Sequence, residues 1–256
     1  MTSFSATLPK AGWRRRARPL LGTLVELGVP ADAVPDAEDE AFAAVAAVQA
    51  TLSRFEPDSD LARLQALPAG VELPLRPAAR RVFRAAQALR DASGGAFDVT
   101  LGSGCFAWRC RQGRLQRDHD AVHFDLGGLA KGHALDAAVA ALRRHGCVAG
   151  WINAGGDLRV FGDLALPLWL RNEDRGGVQP FATLGDGALA TSRFGPGSRD
   201  RLWRAGTAAP PTPASPTTSR TTCDRCSTAP ARFSVTSQPR PTGSARTTTR
   251  QTFFPT

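Results

Sequence analysis

Lysine is almost missing from this chain: among 256 residues it occurs only as Lys10 and Lys131, while arginine is abundant. Long apolar runs are missing too. No stretch approaches the roughly 20 apolar residues of a membrane-spanning helix, so no membrane span is expected. The apolar segment that follows the N-terminal arginines, residues 20–29, is interrupted by Gly22, Thr23, Glu26 and Gly28. It therefore cannot act as the apolar part of a secretory or twin-arginine signal. Five cysteines without such a signal read as reduced thiols, and the expected location is cytoplasmic. Cys223 and Cys226 form a C-x-x-C pair with no second half of a zinc site nearby, which leaves the spacing to chance.

Acid is what the two ends lack. The formal net charge is +9, yet residues 1–20 carry Lys10, Arg14, Arg15, Arg16 and Arg18 with no acid, and residues 201–256 carry eight arginines against Asp224 alone. Residues 21–200 are left with about −3, so the basic character belongs to the ends. Arginines there would bind nucleic-acid phosphates without specificity, and no aromatic residues interleave with them. No specific nucleic-acid partner is expected.

What remains is ordinary for a globular protein: 42% apolar residues, enough for one large domain or two small ones. Residues 20–29 have strand composition, with Gly22 marking a bulge or close approach. Asp36 then suits an N-cap, and Phe42, Val45, Val48, Leu52 and Phe55 recur at helical spacing until Pro57. Asp58, Ser59 and Asp60 cap a short second helix, and Pro77 opens a third that Gly94 and Gly95 stop. Residues 96–102 begin as a strand and break at glycine, and residues 105–117 read as a loop. Several short strands follow residue 148, with a hairpin turn at Gly155 and Gly156 and an edge position favoured by Pro167. Strand, helices, strand, helix and then antiparallel strands argue an α+β fold.

Residues 123–144 hold the densest chemistry: a short apolar run ending on Asp125, the pair Gly127 and Gly128, and a helix with Lys131 in its first turn. Free N–H groups at a helix start, the positive end of its dipole and a compact amine suit a bound phosphate. By spacing alone this is also an ordinary strand-turn-helix joint, because G-G-x-x-x-G matches neither the dinucleotide fingerprint nor the Walker loop. The rarity of lysine elsewhere weighs modestly for function at Lys131. Other candidates have plain structural readings. Phe55 continues an apolar stripe and reads as core, Asp98 and Asp157 can cap turns, and His133 reads as a solvated or packing residue.

Asp125, Leu126, Gly127, Gly128, Leu129, Ala130, Lys131, Gly132 and His133, with Asp136 following, resemble the signature of the ApbE family, the FAD:protein FMN transferases. Five further stretches fall in that family's order. Leu21, Gly22 and Thr23 resemble its M-G-T strand. Ser53, Arg54 and Phe55 with residues 59–64 resemble its early helix-turn segment. Residues 95–100 match its G-A-F-D motif, residues 153–158 its N-A-G-G-D turn, and residues 189–192 its A-T-S strand. The resemblance implies an antiparallel sheet with packed helices, incomplete at the C-terminus. It implies FAD as substrate, Mg²⁺ as cofactor, and transfer of FMN to a threonine or serine hydroxyl of an acceptor flavoprotein with AMP leaving. Leu21, Phe55, Ala96, Phe97, Asp98, Asp125 and Lys131 match FAD-contacting positions, and Gly128 a position that gives the metal its backbone oxygen. His133 stands where the family has tyrosine, and Leu21 where it has methionine. No residue is identified as the base.

The resemblance stops after Ser192. The family's I-D-P-x-T-G segment and its A-D-x-x-[ST] motif, which completes the Mg²⁺ site, have no counterpart in residues 193–256. That segment is dominated by Thr, Pro, Ser, Ala and Arg without period, the composition of a disordered tail and the pattern expected of reading in a shifted frame. The expected organisation is a basic, disordered lead over residues 1–18, a flavin-binding core over 19–200 and a disordered tail over 201–256. Two weaker readings accompany transferase activity: an FAD-binding module without transfer, and a nucleic-acid binder acting through its basic ends.

Overall fold

Tight turns containing glycine close three of the hairpins, at residues 21–22, 112–113 and 155–156. The computed structural model describes residues 4–6, 12–171 and 177–190. Its strands are β1 (Phe4–Ala6), β2 (Trp13–Leu20), β3 (Thr23–Pro30), β4 (Leu73–Pro74), β5 (Trp108–Arg111), β6 (Arg114–Arg117), β7 (Gly150–Ala154), β8 (Asp157–Phe161), β9 (Leu166–Arg171), β10 (Val178–Leu184) and β11 (Gly187–Leu189). The helices are α1 (Ala37–Leu52), α2 (Asp60–Ala66), α3 (Pro77–Ala92) and α4 (Gly127–Arg144). Every strand pair is antiparallel, and the class is α+β, as the order of elements implies. Among the described residues no helix is long and apolar enough to cross a membrane. The chain divides into two units, with α1 and α4 each passing from one to the other.

The first unit takes the described parts of Met1–Ala43 and Leu135–Asp200. Its five-stranded sheet has the order β11-β8-β7-β3-β2. Residues 20–29 do not form one bulged strand. Leu21 (φ 57°) and Gly22 (φ 70°) make a two-residue turn with both residues left-handed, and Leu20 pairs with Thr23 across it. Such a turn follows the natural twist of a hairpin. Trp13–Arg18, expected in a disordered lead, are therefore paired strand. Their alternation explains why. Arg14 donates to Glu38, Arg16 and Arg18 to Asp39, and Arg15 to Glu26, so each arginine meets an acid.

Register assigns the two faces of this sheet. Arg14, Arg16 and Arg18 pair with Val29, Leu27 and Val25, and the row continues through Ile152 to Arg159. This face meets the start of α1 through Glu38 and Asp39, and α4 through Asp136, 3.7 Å from Arg159. The opposite face presents Trp151, Leu158, Val160 and Leu189, which cluster with Leu166, Leu168 and Leu184 of a second sheet ordered β1-β9-β10. Pro167 is not on an edge strand, because β9 is central. Among the described residues β1 pairs with Leu168–Leu170, and Pro167 faces Thr183 of β10.

The second unit takes Ala44–Ala134. α1 ends at Leu52, short of Phe55 and Pro57, and Ser53 Oγ accepts the Phe55 N–H at 3.2 Å. Ser59 caps α2 by accepting the Ala62 N–H at 2.9 Å, and Pro77 stands at the start of α3. Residues 105–117 are not a loop throughout. They contain the β5–β6 hairpin, closed by Gln112 (φ 48°) and Gly113 (φ 75°), in a sheet ordered β4-β6-β5. Phe83, Trp108 and Phe124 meet edge to face with centroids 5.3–6.0 Å apart, and this trio centres the unit's core. Buried Asp60 accepts the Arg76 N–H and Nε–H, each at 2.7 Å. Residues of the expected A-T-S strand beyond Ala190, the expected tail and the expected missing motifs lie outside the described residues.

Candidate functional site

α4 starts two residues earlier than a strand-turn-helix joint would have it. Residues 122–126 are not a strand, and Gly127 and Gly128 are the first two residues of the helix itself. Lys131 is consequently its fifth residue, at the opening of the second turn. Asp125 sits just ahead of the helix. Its N–H donates to Val99 O at 2.7 Å, and its Oδ1 accepts the Gly127 N–H at 2.8 Å. The Leu129 and Ala130 N–H groups both donate to Leu126 O. Gly128 is exposed, and its N–H makes no hydrogen bond to the described residues, which leaves one helix-start donor unpaired at the positive end of the dipole.

The segment carrying Ala96, Phe97 and Asp98 approaches this point. A Cβ placed on Gly128 would lie 3.8 Å from the Phe97 ring, in ordinary contact. Residues 96–102 are a run of turns rather than a strand, because Asp98 draws the backbone around itself. Its Oδ1 accepts the Thr100 N–H (2.8 Å) and hydroxyl (2.7 Å), and its Oδ2 the Gly102 N–H (2.8 Å). Asp98 is thus the organiser of the loop, with both oxygens engaged. Arg90 braces the far side of the same loop, donating to Cys105 O (3.2 Å) and Trp108 O (3.1 Å) beneath the Phe106 and Trp108 rings. Burial, with Asp98 adding to it, pushes the Cys105 thiol up to about 11, so it is not a thiolate at neutral pH.

Phe55 is 80% exposed and is not core, since α1 ends before it. Arg54, to which the sequence gives no part, lies 4.7 Å from the Phe55 centroid and 3.8 Å from Asp125 Oδ2. Phe55, Ala96–Asp98, Asp125, Gly128 and Lys131 therefore all belong to the second unit, drawn from three separate stretches of chain. Leu21 belongs to the first unit. There it lies in the hairpin turn whose neighbour Thr23 touches Gly155, so the L-G-T and N-A-G-G-D stretches share one end of the five-stranded sheet. His133 is a packing residue. Burial, reinforced by Arg81, holds its imidazole below the usual range.

Metal-binding capacity is a separate matter. Among the described residues no three His, Cys, Asp or Glu side chains group closely enough to hold an ion. Asp125, the carboxylate nearest Gly128 in sequence, already serves Gly127 and faces Arg54. Gly128 O lies inside the first turn of α4, where a helix carbonyl points along the axis toward the next turn. These groups alone do not fit a Mg²⁺ site, which needs near-octahedral oxygen ligands.

The sequence profile of the ApbE family matches residues 21–121 and 109–208. Solved structures agree on the fold. The flavin transferase ApbE from Vibrio cholerae superposes with a TM-score of 0.64 at 18% identity, covering 74% of this chain and 72% of that one. The Pseudomonas stutzeri flavinyl transferase ApbE, in its apo form, gives 0.61 at 22% identity, covering 71% and 68%. The ApbE protein from Thermotoga maritima gives 0.63 at 21% identity, covering 71% and 72%. Comparison with curated protein sequences gives no match.

Proposed function

Because the chain belongs to the ApbE family, we propose that it binds FAD and transfers the FMN half to a threonine or serine hydroxyl of an acceptor flavoprotein. The hydroxyl oxygen forms a bond to the FMN-side phosphorus, and the bond from that phosphorus to the bridging diphosphate oxygen breaks. AMP departs with the bridging oxygen, and the hydroxyl proton goes to a base.

One observation carries the reading: the head of α4, with its unpaired Gly128 N–H, lies beside the Phe97 ring and two residues after Asp125, which accepts the Gly127 N–H. A diphosphate is favoured there by the N–H, the helix dipole and the Lys131 charge. The exposed Phe55 ring and the half-buried Phe97 ring offer faces to a flat heterocycle. Asp125 keeps Oδ1 on Gly127, so a ribose hydroxyl or base N–H is expected at Oδ2. Asp98 contributes by shaping the loop that presents Phe97. Mg²⁺ enters this reading only as an ion carried in by the diphosphate oxygens, because Gly128 O is turned into the helix.

Incubation with FAD, Mg²⁺ and a purified acceptor flavoprotein, followed by a denaturing gel, tests it. A fluorescent flavin band at the acceptor's mass is the expected result. The reading of an FAD-binding module without transfer predicts bound FAD with no fluorescent band. A chain that does not bind FAD at all refutes both.

A further inference from the structure

Arg54 lies where two of the sequence-predicted positions meet. Its Cζ is 4.7 Å from the Phe55 ring centroid, and its Nη1 is 3.8 Å from Asp125 Oδ2. The side chain is 60% exposed and that of Asp125 39%, so as an ion pair in water the contact adds little to folding. At 3.8 Å it is also too long for a hydrogen bond. Asp125 meanwhile has a better partner in the Gly127 N–H at 2.8 Å. The guanidinium is thus held by a long charge contact and by its place over the Phe55 ring.

We propose that Arg54 is a phosphate-contacting residue of the FAD site, exchanging Asp125 for the diphosphate of the bound dinucleotide while staying stacked on Phe55. The assignment rests on the FAD-binding reading. A diphosphate seated at the Gly128 N–H carries more charge than one carboxylate that is already hydrogen-bonded, so it is the stronger partner for the guanidinium. The planar fork can give two parallel N–H bonds to phosphate oxygens, which the single ammonium of Lys131 cannot. Stacking on Phe55 restricts the rotamers beforehand and lowers the entropy lost on binding. Release from Asp125 Oδ2 also opens that oxygen to a ligand donor, so one side-chain movement completes both contacts.

The test is an FAD titration of the full chain followed by flavin fluorescence, at low and moderate salt, for wild type, Arg54→Lys and Arg54→Met. Melting temperatures are recorded alongside. Loss of a charge-assisted contact predicts about tenfold weaker binding for Arg54→Met and a shallower dependence on salt. Arg54→Lys should recover part of the affinity, inorganic pyrophosphate should compete less well against the methionine variant, and all three melting temperatures should agree. Binding by Arg54→Met within twofold of wild type overturns the assignment and leaves the FAD reading standing. Weaker binding that accompanies a fallen melting temperature and is not recovered by lysine also overturns it, marking Arg54 as structural. Wild-type protein that does not bind FAD overturns the FAD reading itself.

Discussion

The glycines of the five-stranded sheet and of the turn that leaves it stand in surroundings opposite to those of Gly128 at the head of α4. A Cβ on Gly28 would come within 2.2 Å of the Trp151 indole nitrogen, one on Gly150 within 2.8 Å of Gly28 O, and one on Gly162 within 1.9 Å of Val148 O. In each case the space is already taken by another part of the fold. On Gly128 the same Cβ would touch nothing nearer than 3.8 Å, and the residue is exposed with an ordinary helical backbone. Gly28 and Gly150 are explained by packing alone, and Gly162 by packing together with its left-handed backbone. Gly128 is required by neither, and the proposed phosphate contact of its N–H gives it a role that folding does not.

The sharpest way to break this contrast lies within the sheet unit. Gly162→Ala meets both a clash with Val148 O and a left-handed backbone (φ 74°), so it is expected to cost about 3 kcal/mol or more. Gly22→Ala has an equally left-handed backbone (φ 70°) but nothing within 4 Å, so only the strain of about 1 kcal/mol applies. Urea unfolding of the pair checks it. Equal losses would mean that backbone strain, and not occupied space, fixes the sheet glycines.

A middle-sized effect comes from the arginines of β2, which distinguish the sheet unit electrostatically. The hydrogen bond from Arg14 holds the Glu38 carboxyl below its ordinary range, against the opposing effect of its burial. A folded-state value below the unfolded one means that the stabilisation is present above the usual carboxylate range, near pH 4.5, and fades as acid protonates the folded carboxylate. Asp136 acts in the other direction, since burial raises it, with Arg159 opposing. Glu38→Gln is expected to cost about 1–2 kcal/mol at pH 7 and to flatten the decline in stability between pH 5 and pH 3. Denaturant unfolding across that range measures it, and an unchanged acid slope would show that the pair is not formed in solution.

How much of this could be read from the chain depends on the range of the interactions concerned. Local chemistry was legible: Pro77 opening α3, Ser59 capping α2, and Gly155 and Gly156 closing a hairpin all act within a few residues. The motifs around residues 95–100 and 125–133 could also be placed together by resemblance. Long-range pairing was less visible. Trp13–Arg18 read as a basic lead because their partners, Glu38 and Asp39, lie more than twenty residues away on another element. Leu21 and Gln112 concealed two hairpin turns, since neither is a residue that favours positive φ. Phe55 fitted the apolar spacing of α1, yet Ser53 turns the chain first and leaves the ring exposed. The helical period could not reveal where the helix stops.

The smallest expected effect bears most directly on the contrast. Gly128→Ala replaces a poor helix former with the best one, at a helical position where the new Cβ finds ordinary contact with Phe97. Taken as a folding problem, the change should stabilise the chain by about 0.5 kcal/mol, with the gain limited by its place in the first turn. Taken as a binding problem, it puts a methyl group beside the unpaired N–H of the helix head and beside the Phe97 ring. The expected outcome is a slightly higher melting temperature together with weaker FAD binding in a fluorescence titration. Stability and binding moving in opposite directions would show that glycine is retained there at the expense of folding. A variant that is both more stable and equally competent to bind would remove the reason for regarding the head of α4 as different from any other exposed helix start.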